Sequence, residues 1–362
     1  MVIAVVVPCY KVKQYVLEVL SKVGSEVSLI YCVDDGCPEN SGHYIQQYSS
    51  DGRVRVIFHA VNQGVGGAVV TGYKAAIRDG ADIVVKLDGD GQMDPAIIPQ
   101  LVRPIVDGQA DYTKGDRFYL MEYLKGMPLM RKMGNAMLSF MNKFSTGYWD
   151  IFDPTNGFTA VSASILKDLP LEKISKRYFF ESDMLFQLSM IRAVVRDIPM
   201  RAVYQGEISS LKISRITGEF LNHHCGNFLK RIFYSYFIRN FTLGSLELLL
   251  GLMLLITGTS TGLQHWFSSV NTGVMASAGT VMLSALPIAI GFQLILAFLG
   301  EDISMVPKIP LSLSRNAGLV KVRPVVLENE LIKSGRDLAN TFEQKRIVTG
   351  NKAVSAFSER ET

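Results

Sequence analysis

Val84-Val85-Lys86-Leu87-Asp88-Gly89-Asp90-Gly91-Gln92-Met93-Asp94-Pro95 is the stretch on which the fold turns. The segment Ile83 to Leu87 is short, mostly apolar and bounded by turn residues, which reads as a buried strand. Two carboxylates follow it, one residue apart. In an open α/β sheet ligands sit beyond the carboxyl ends of strands, so Asp88 and Asp90 stand where a ligand would lie. Such a pair can hold a divalent cation, whose charge then neutralises a diphosphate. The nearest competitor is an EF-hand loop. It fails because Met93 stands where that loop needs glycine and Pro99 where it needs the bidentate glutamate.

Working outward, Val2–Val7, Leu29–Val33 and Val54–His59 are strand-like in the same way, with helical stretches between them. Alternation of strand and helix predicts an α/β fold over residues 1–213. The ends of these strands carry Pro8-Cys9-Tyr10 and Asp34-Asp35-Gly36, so three strand ends converge on one site. The run Gly64-Val65-Gly66-Gly67 suggests a dinucleotide loop at first sight. The Gly-x-Gly-x-x-Gly register, however, puts Val69 at the third glycine position, which argues against a nicotinamide enzyme.

The chain has 362 residues, enough for two or three units with a full core. Hydrophobic residues make up 48% and charged ones 19%, which excludes a disordered or collagen-like chain. The net charge of +4, from 37 basic and 33 acidic residues, is too small to argue for nucleic acid. Cys9, Cys32, Cys37 and Cys225 show neither zinc-ligand spacing nor a Cys-x-x-Cys pair, and read as reduced thiols. The amino-terminal run Met-Val-Ile-Ala-Val-Val-Val-Pro has no basic leader and reads as a strand, so the first domain is expected in the cytoplasm.

The apolar excess is concentrated late in the chain. Phe241 to Gly262 carries one charge, Glu247, and Val274 to Gly300 carries none. A helix needs about 20 apolar residues to cross the hydrocarbon layer, so residues 241–300 predict a transmembrane hairpin, with a loop over Thr259–Gly273. Lys230, Arg231 and Arg239 precede it, Lys308, Arg315 and Lys321 follow it, and the loop has no Lys or Arg; both chain ends are therefore expected in the cytosol. Residues 214–240 mix Phe220, Leu221, Phe228, Leu229, Ile232, Phe233, Tyr236 and Phe237 with polar residues at helical spacing. That pattern predicts a helix lying in the membrane interface, the plainer alternative being an amphipathic helix packed on the first domain. Arg239 stands two turns before Glu247 and is its expected partner. Residues 301–362 read as a peripheral or disordered cytosolic tail.

Several motifs occur in order: Val7-Pro8-Cys9-Tyr10, Val33-Asp34-Asp35-Gly36, Asn62-Gln63-Gly64 with Gly72, Asp88-Gly89-Asp90-Gly91-Gln92, Gly115-Asp116-Arg117, Arg131 with Asn135, and Asp153-Pro154-Thr155-Asn156-Gly157-Phe158. Together they resemble the family 2 glycosyltransferases of GT-A fold, and within them the dolichyl-phosphate mannose synthases and bacterial polyprenyl-phosphate glycosyltransferases, over roughly Val2 to Gly300. The resemblance implies a Rossmann-like mixed sheet. It implies that Pro8, Tyr10, Val33 and Asp35, with Asp34 nearby, hold the base and ribose of a UDP- or GDP-sugar. Asp88 would stand by the sugar or diphosphate, and Asp90 and Gln92, with Asp88, would ligate Mg²⁺ or Mn²⁺. Arg117 and Arg131 would receive the phosphate of a polyprenyl phosphate acceptor, a task suited to paired guanidinium hydrogen bonds. Glu181 and Asp183 would line the site and supply a base for a hydroxyl acceptor; a phosphate acceptor is already ionised near neutral pH and needs none.

Two departures stand out. Lys11-Val12 replaces the family's Asn-Glu after the tyrosine, and Tyr204 to Lys212 replaces its Arg-x-x-Gly-x-Ser-Lys, leaving Lys212 or Arg201 to restore a charge near the acceptor phosphate. There is no Gln-x-x-Arg-Trp, the only tryptophans being Trp149 and Trp266, which argues against a processive polysaccharide synthase. The leading expectation is a multi-pass membrane enzyme with two helices, in the inner or plasma membrane if the chain is bacterial. It would move one sugar, with inversion, onto a polyprenyl phosphate of the undecaprenyl type at the cytosolic face. The alternatives are a non-processive transferase acting on a saccharide or lipid hydroxyl, and a catalytically silent nucleotide- or lipid-binding membrane protein. A homo-oligomer is compatible with each.

Overall fold

The computed structural model describes residues 1–119, 129–201 and 213–316; for Met130, Arg131, residues 213–217 and residues 314–316 it describes the backbone alone. A seven-stranded mixed sheet forms the first half of the chain. Its strands are β1 (Ile3–Cys9), β2 (Leu29–Asp34), β3 (Val54–Phe58), β4 (Ile83–Lys86), β5 (Tyr112–Asp116), β6 (Thr159–Ser162) and β7 (Val195–Pro199), in the spatial order β3-β2-β1-β4-β6-β5-β7. β1 to β4 are mutually parallel, β6 runs antiparallel to β4 and β5, and β7 is parallel to β5. This is the GT-A-type sheet that the resemblance implies.

The sheet is covered on both faces, which is why β1 is apolar at nearly every position instead of alternating. Ala4 and Val6 enter one core with Val69 and Tyr73 of α3 (Val65–Arg78) and Met184 and Leu188 of α7 (Phe180–Ile191). Ile3, Val5 and Val7 enter the other with Val16 and Val19 of α1 (Val16–Ser21) and Ile98 and Leu101 of α4 (Ile98–Val106). α3 lies so close on β1 that a Cβ at Gly72 would collide with the Val6 side chain. From β1 the chain winds one way to β2 and β3, and β4 is added on the other side. The switch in strand order therefore falls between β1 and β4, and the crevice there is framed by Pro8-Tyr10 and Asp88-Asp90.

α2 (Ser41–Tyr48), α5 (Leu129–Thr146) and the short α6 (Ala163–Leu166) complete this half. α8 (Ile213–Phe233) then leads through a π-helical turn (Tyr234–Arg239) into α9 (Leu243–Thr272) and α10 (Ala278–Ser304). The loop expected over Thr259–Gly273 is helix as far as Thr272: nothing there breaks a helix until Gly273, which takes φ +70° at its end, and Ser277 caps the next helix. The most apolar windows of α9 and α10 have mean hydropathies of 1.6 and 2.2 and are each only 11% buried, which sets them apart from core helices. Small residues let the two backbones touch. A Cβ at Gly291 would stand 2.8 Å from the Gly251 carbonyl oxygen, and one at Gly258 would stand 2.9 Å from that of Ser284.

The segment read as a peripheral tail is docked at its start. Residues 301–304 continue α10, and the amides of Leu311 and Ser312, opening α11 (Leu311–Asn316), donate to the buried Asp111 carboxylate at 2.9 and 3.0 Å. Residues 317–362 lie outside the described residues. The expected Arg239–Glu247 pair does not form among the described ion pairs; Arg239 Nη1 donates instead to the Met190 carbonyl, 3.0 Å away, at the end of α7.

Candidate active site

Lys86, the last residue of β4, is the centre around which the site is assembled. It is 1% exposed, and its Nζ lies 2.8 Å from Asp88 Oδ1 and 3.2 Å from Glu181 Oε1. Burial alone would lower the ammonium's pKa, but the charges of Asp88 and Glu181 outweigh it and hold the pKa above its ordinary value. Gly157 closes the arrangement from above: a Cβ there would collide with both Lys86 Nζ and Asp88 Oδ2, so only glycine lets the Asp153–Phe158 segment approach. Sequence reasoning missed Lys86. The available signal was a charged residue inside an otherwise apolar strand, which is rare unless paired.

Asp90 sits one residue beyond Asp88 in the turn after β4. Its Oδ1 accepts from the Gln92 amide at 3.0 Å, across Gly91 at φ +79°. Among the described residues no three His, Cys, Asp or Glu side chains gather as a metal cluster. The donors on offer are two hard carboxylates and an amide side chain. That set fits Mg²⁺ or Mn²⁺, which bind one or two carboxylates and complete their shells with substrate phosphate and water.

Asp34 and Asp35 at the end of β2 frame the crevice and are 4% and 2% exposed. Asp34 accepts from the amides of Cys37 at 2.7 Å and Gly42 at 2.6 Å, and so anchors the start of α2. Asp35 accepts from the amides of Gln63 and Gly64, both at 2.8 Å, and from His59 Nδ1 at 2.7 Å. These carboxylates hold the Asn62-Gln63-Gly64 loop and α2 in place. Val33 is buried between them and β1, whereas Tyr10 is exposed and Pro8 half-buried at the mouth.

Arg117, following β5, is gripped by the buried Asp153 in a two-pronged pair, Nε–Oδ2 2.7 Å and Nη2–Oδ1 2.9 Å, with Thr155 Oγ1 3.2 Å from Nη2. Asn156 Nδ2 donates to the Gly115 carbonyl at 2.7 Å, and Lys114 Nζ donates to the Asn156 carbonyl, so the Asp153–Phe158 segment is stitched to β5. Arg131 is the third residue of α5; its side chain, like Lys212 and the Tyr204–Leu211 segment, lies outside the described residues. The structure thus brings Asp88, Glu181 and Gly157 together around Lys86. Asp183 is turned away from that group: it accepts from the Ser175 amide at 2.8 Å and from Asn227 of α8 at 3.2 Å, and burial raises its carboxyl above the usual range.

A second feature escaped the sequence reading. Leu129, Met133, Met137 and Phe140 recur every three or four residues along α5 and are all exposed, forming an apolar stripe on a helix that packs against α8, where Leu229 and Phe233 are also exposed.

The model of the family described as glycosyl transferase family 2 matches residues 4–170. The UDP-N-acetylglucosamine–dolichyl-phosphate N-acetylglucosaminyltransferase of Methanococcus voltae is 31% identical over 216 residues, covering 56% of this chain and 86% of its own. The undecaprenyl-phosphate mannosyltransferase of Micrococcus luteus is 28% identical over 193 residues, covering 52% and 78%. Among solved structures, glucosyl-3-phosphoglycerate synthase from Mycobacterium tuberculosis aligns with a TM-score of 0.48 at 17% identity, over 64% of this chain and 79% of that one. With a mixed α/β sheet, carboxylates at its strand ends, and the 31% identical Methanococcus voltae relative covered over 86% of its length, the chain belongs to glycosyl transferase family 2.

Proposed function

We propose that this enzyme transfers one sugar from a UDP- or GDP-sugar to a polyprenyl phosphate at the cytosolic face of the membrane, with inversion at the anomeric carbon. The observation that carries the reading is the joining of a strand-end carboxylate site to two membrane-length helices whose apolar surface is almost wholly uncovered. An acceptor with a prenyl tail would share that environment. The exposed stripe of α5 and the exposed Leu221, Leu229 and Phe233 of α8 would rest on the same bilayer surface. In this reading residues 1–213 do the chemistry, 214–240 lie at the interface, 241–300 cross the membrane and 301–362 stay in the cytosol.

Asp90 and Gln92, with Asp88, would hold Mg²⁺ or Mn²⁺, which supplies charge neutralisation at the leaving diphosphate. The nucleotide would enter between Pro8-Tyr10 and the loop that Asp34 and Asp35 keep in place. Lys86 bridges Asp88 and Glu181 and holds both carboxylates in place, so Glu181 is spent on an ion pair. A phosphate acceptor suits this, since its attacking oxygen has no proton to lose near neutral pH. Arg117, aligned by Asp153, and Arg131 at the start of α5 would receive that phosphate, with Lys212 as a further cation.

Membranes containing the enzyme, supplied with labelled UDP- and GDP-sugars, test the reading. Expected is a labelled lipid that forms only with added polyprenyl phosphate and a divalent cation and is released by mild acid. Acid-stable label on a glycan or lipid hydroxyl, or donor binding without turnover, would overturn it.

A further inference from the structure

We propose that Asp302 is a positioning residue: its carboxylate locks the catalytic domain to the transmembrane hairpin and so fixes the height of the strand-end site above the bilayer. The inference rests on the membrane-embedded acceptor of the preceding section.

Asp302 lies in the last turn of α10 and is 3% exposed. Its Oδ1 accepts from Arg231 Nη1 at 2.6 Å and from the Tyr236 hydroxyl at 2.9 Å; its Oδ2 accepts from Arg231 Nη2 at 3.1 Å and Trp149 Nε1 at 2.9 Å. The donors arise from three places: Trp149 just after α5, Arg231 on α8, and Tyr236 in the π-helical turn that enters the hairpin. With four donors on two oxygens the carboxylate is saturated, which suits a joint and leaves nothing for chemistry.

Arg231 extends the joint. Its Nε and Nη2 donate to the Phe144 carbonyl at 3.1 and 2.8 Å, satisfying an acceptor that the end of α5 cannot satisfy itself. Room for the guanidinium comes from Gly147, at φ +74°, where a Cβ would stand 2.7 Å from Nη1. Aromatic rings exclude water around the joint: Phe144 on Trp149 and Phe228, and Tyr236 on Phe298, with centroids 5.0, 6.2 and 4.9 Å apart. A desolvated carboxylate with a forked arginine is rigid and directional. One residue therefore sets the attitude of α5, the helix whose first turn holds Arg131 and whose exposed stripe faces outward.

The consequence is a split between acceptors. An acceptor anchored in the bilayer presents its phosphate at a fixed depth and needs the site at a matching height; a short, water-soluble prenyl phosphate does not. The full chain in lipid vesicles is assayed with both acceptors. For Asp302→Asn the KM for the long-chain acceptor is expected to rise about tenfold or more, with transfer to the soluble one changed less than about twofold. Trp149→Phe, which removes one donor and keeps the ring, is expected to shift the same KM less, and serves if Asp302→Asn does not fold. Equal losses on both acceptors, or no change on either, overturn the proposal.

If the native enzyme glycosylates neither prenyl phosphate, the functional reading falls and the joint is judged alone. Spin labels at Gly52→Cys and Val274→Cys, in a Cys225→Ser background, are expected to give a narrow distance distribution that Asp302→Asn broadens. An unchanged distribution overturns the joint.

Discussion

Lys86 and Asp197 are the two residues whose chemistry the fold alters most usefully. Lys86→Met would leave Asp88 and Glu181 facing each other with no cation between them, and breaking a buried pair costs on the order of 3–5 kcal/mol. We expect a clear fall in melting temperature and a loss of turnover on the order of 10²-fold, because Asp88 is then neither oriented nor neutralised beside a diphosphate. Adding Glu181→Gln should return much of the melting temperature and little of the turnover; recovery of both would show that Lys86 is merely structural. Asp197, paired in register with Lys114, is pushed up to about 7 by burial, with Asp116 and Asp153 adding to the effect. From about pH 4 to 7 the unfolded chain releases a proton that the fold retains, so this group's contribution to stability is greatest at low pH and declines as the pH rises to 7. Asp197→Asn removes the decline. Its melting temperature relative to the native protein should be higher at pH 8 than at pH 5, and a constant difference between the two would sink the idea. Asp88 and Asp90 were legible as carboxylates at a strand end. That Asp34 and Asp35 spend their oxygens on backbone amides was not, since the amides of Gln63 and Gly64 reach Asp35 only through the folded loop.

The apolar runs of β1, β2 and β4 announced themselves because a strand buried on both faces needs no alternation, whereas the edge strand β3 carries Arg55 and is only half-buried. The antiparallel β6 and the pairing of β5 with β7 left no such signal, being fixed by partners far along the chain. α9 was read too short because Ser, Thr and Gln after Gly262 look like loop residues, although none of them stops a helix. Spacing along α5 was regular throughout, but only the structure tells that its apolar side is uncovered. The hairpin provides the sharpest test of packing at this scale. Gly291 and Gly300 lie on the same helix; a Cβ at the first meets the Gly251 carbonyl at 2.8 Å, while one at the second meets nothing within 4 Å. Gly291→Ala should lower the melting temperature by forcing α9 and α10 apart. Gly300→Ala should leave it unchanged or raise it, since alanine favours a helix interior by about 1 kcal/mol over glycine. Thermal unfolding of both variants in detergent checks the contrast, and matching shifts would mean that the close approach contributes nothing.

At the scale of the whole molecule, charge and packing act together on orientation. Lys230 and Lys308 flank the hairpin on the side of the catalytic domain, and the connection from Gly273 to Ser277 has no charge at all. Arg231 and Arg239 stand on the same side, and both are engaged in hydrogen bonds to the protein, Arg231 to Asp302 and Arg239 to Met190. Even with two of the flanking cations spent on packing, the lysines leave a basic end and a neutral end, and in the proposed topology the neutral end is the one that crosses. The folded domain of the first half cannot cross with it. Cys225, the one cysteine of the four that is exposed, lies on α8 beside that domain, and Val274 is exposed at the opposite end of the hairpin. In intact cells a membrane-impermeant maleimide should therefore modify Val274→Cys and leave Cys225 untouched, and Cys225 should react once the membrane is opened. Labelling of Cys225 from outside, with Val274→Cys protected, would invert the topology and place the strand-end site where no cytosolic nucleotide sugar could reach it.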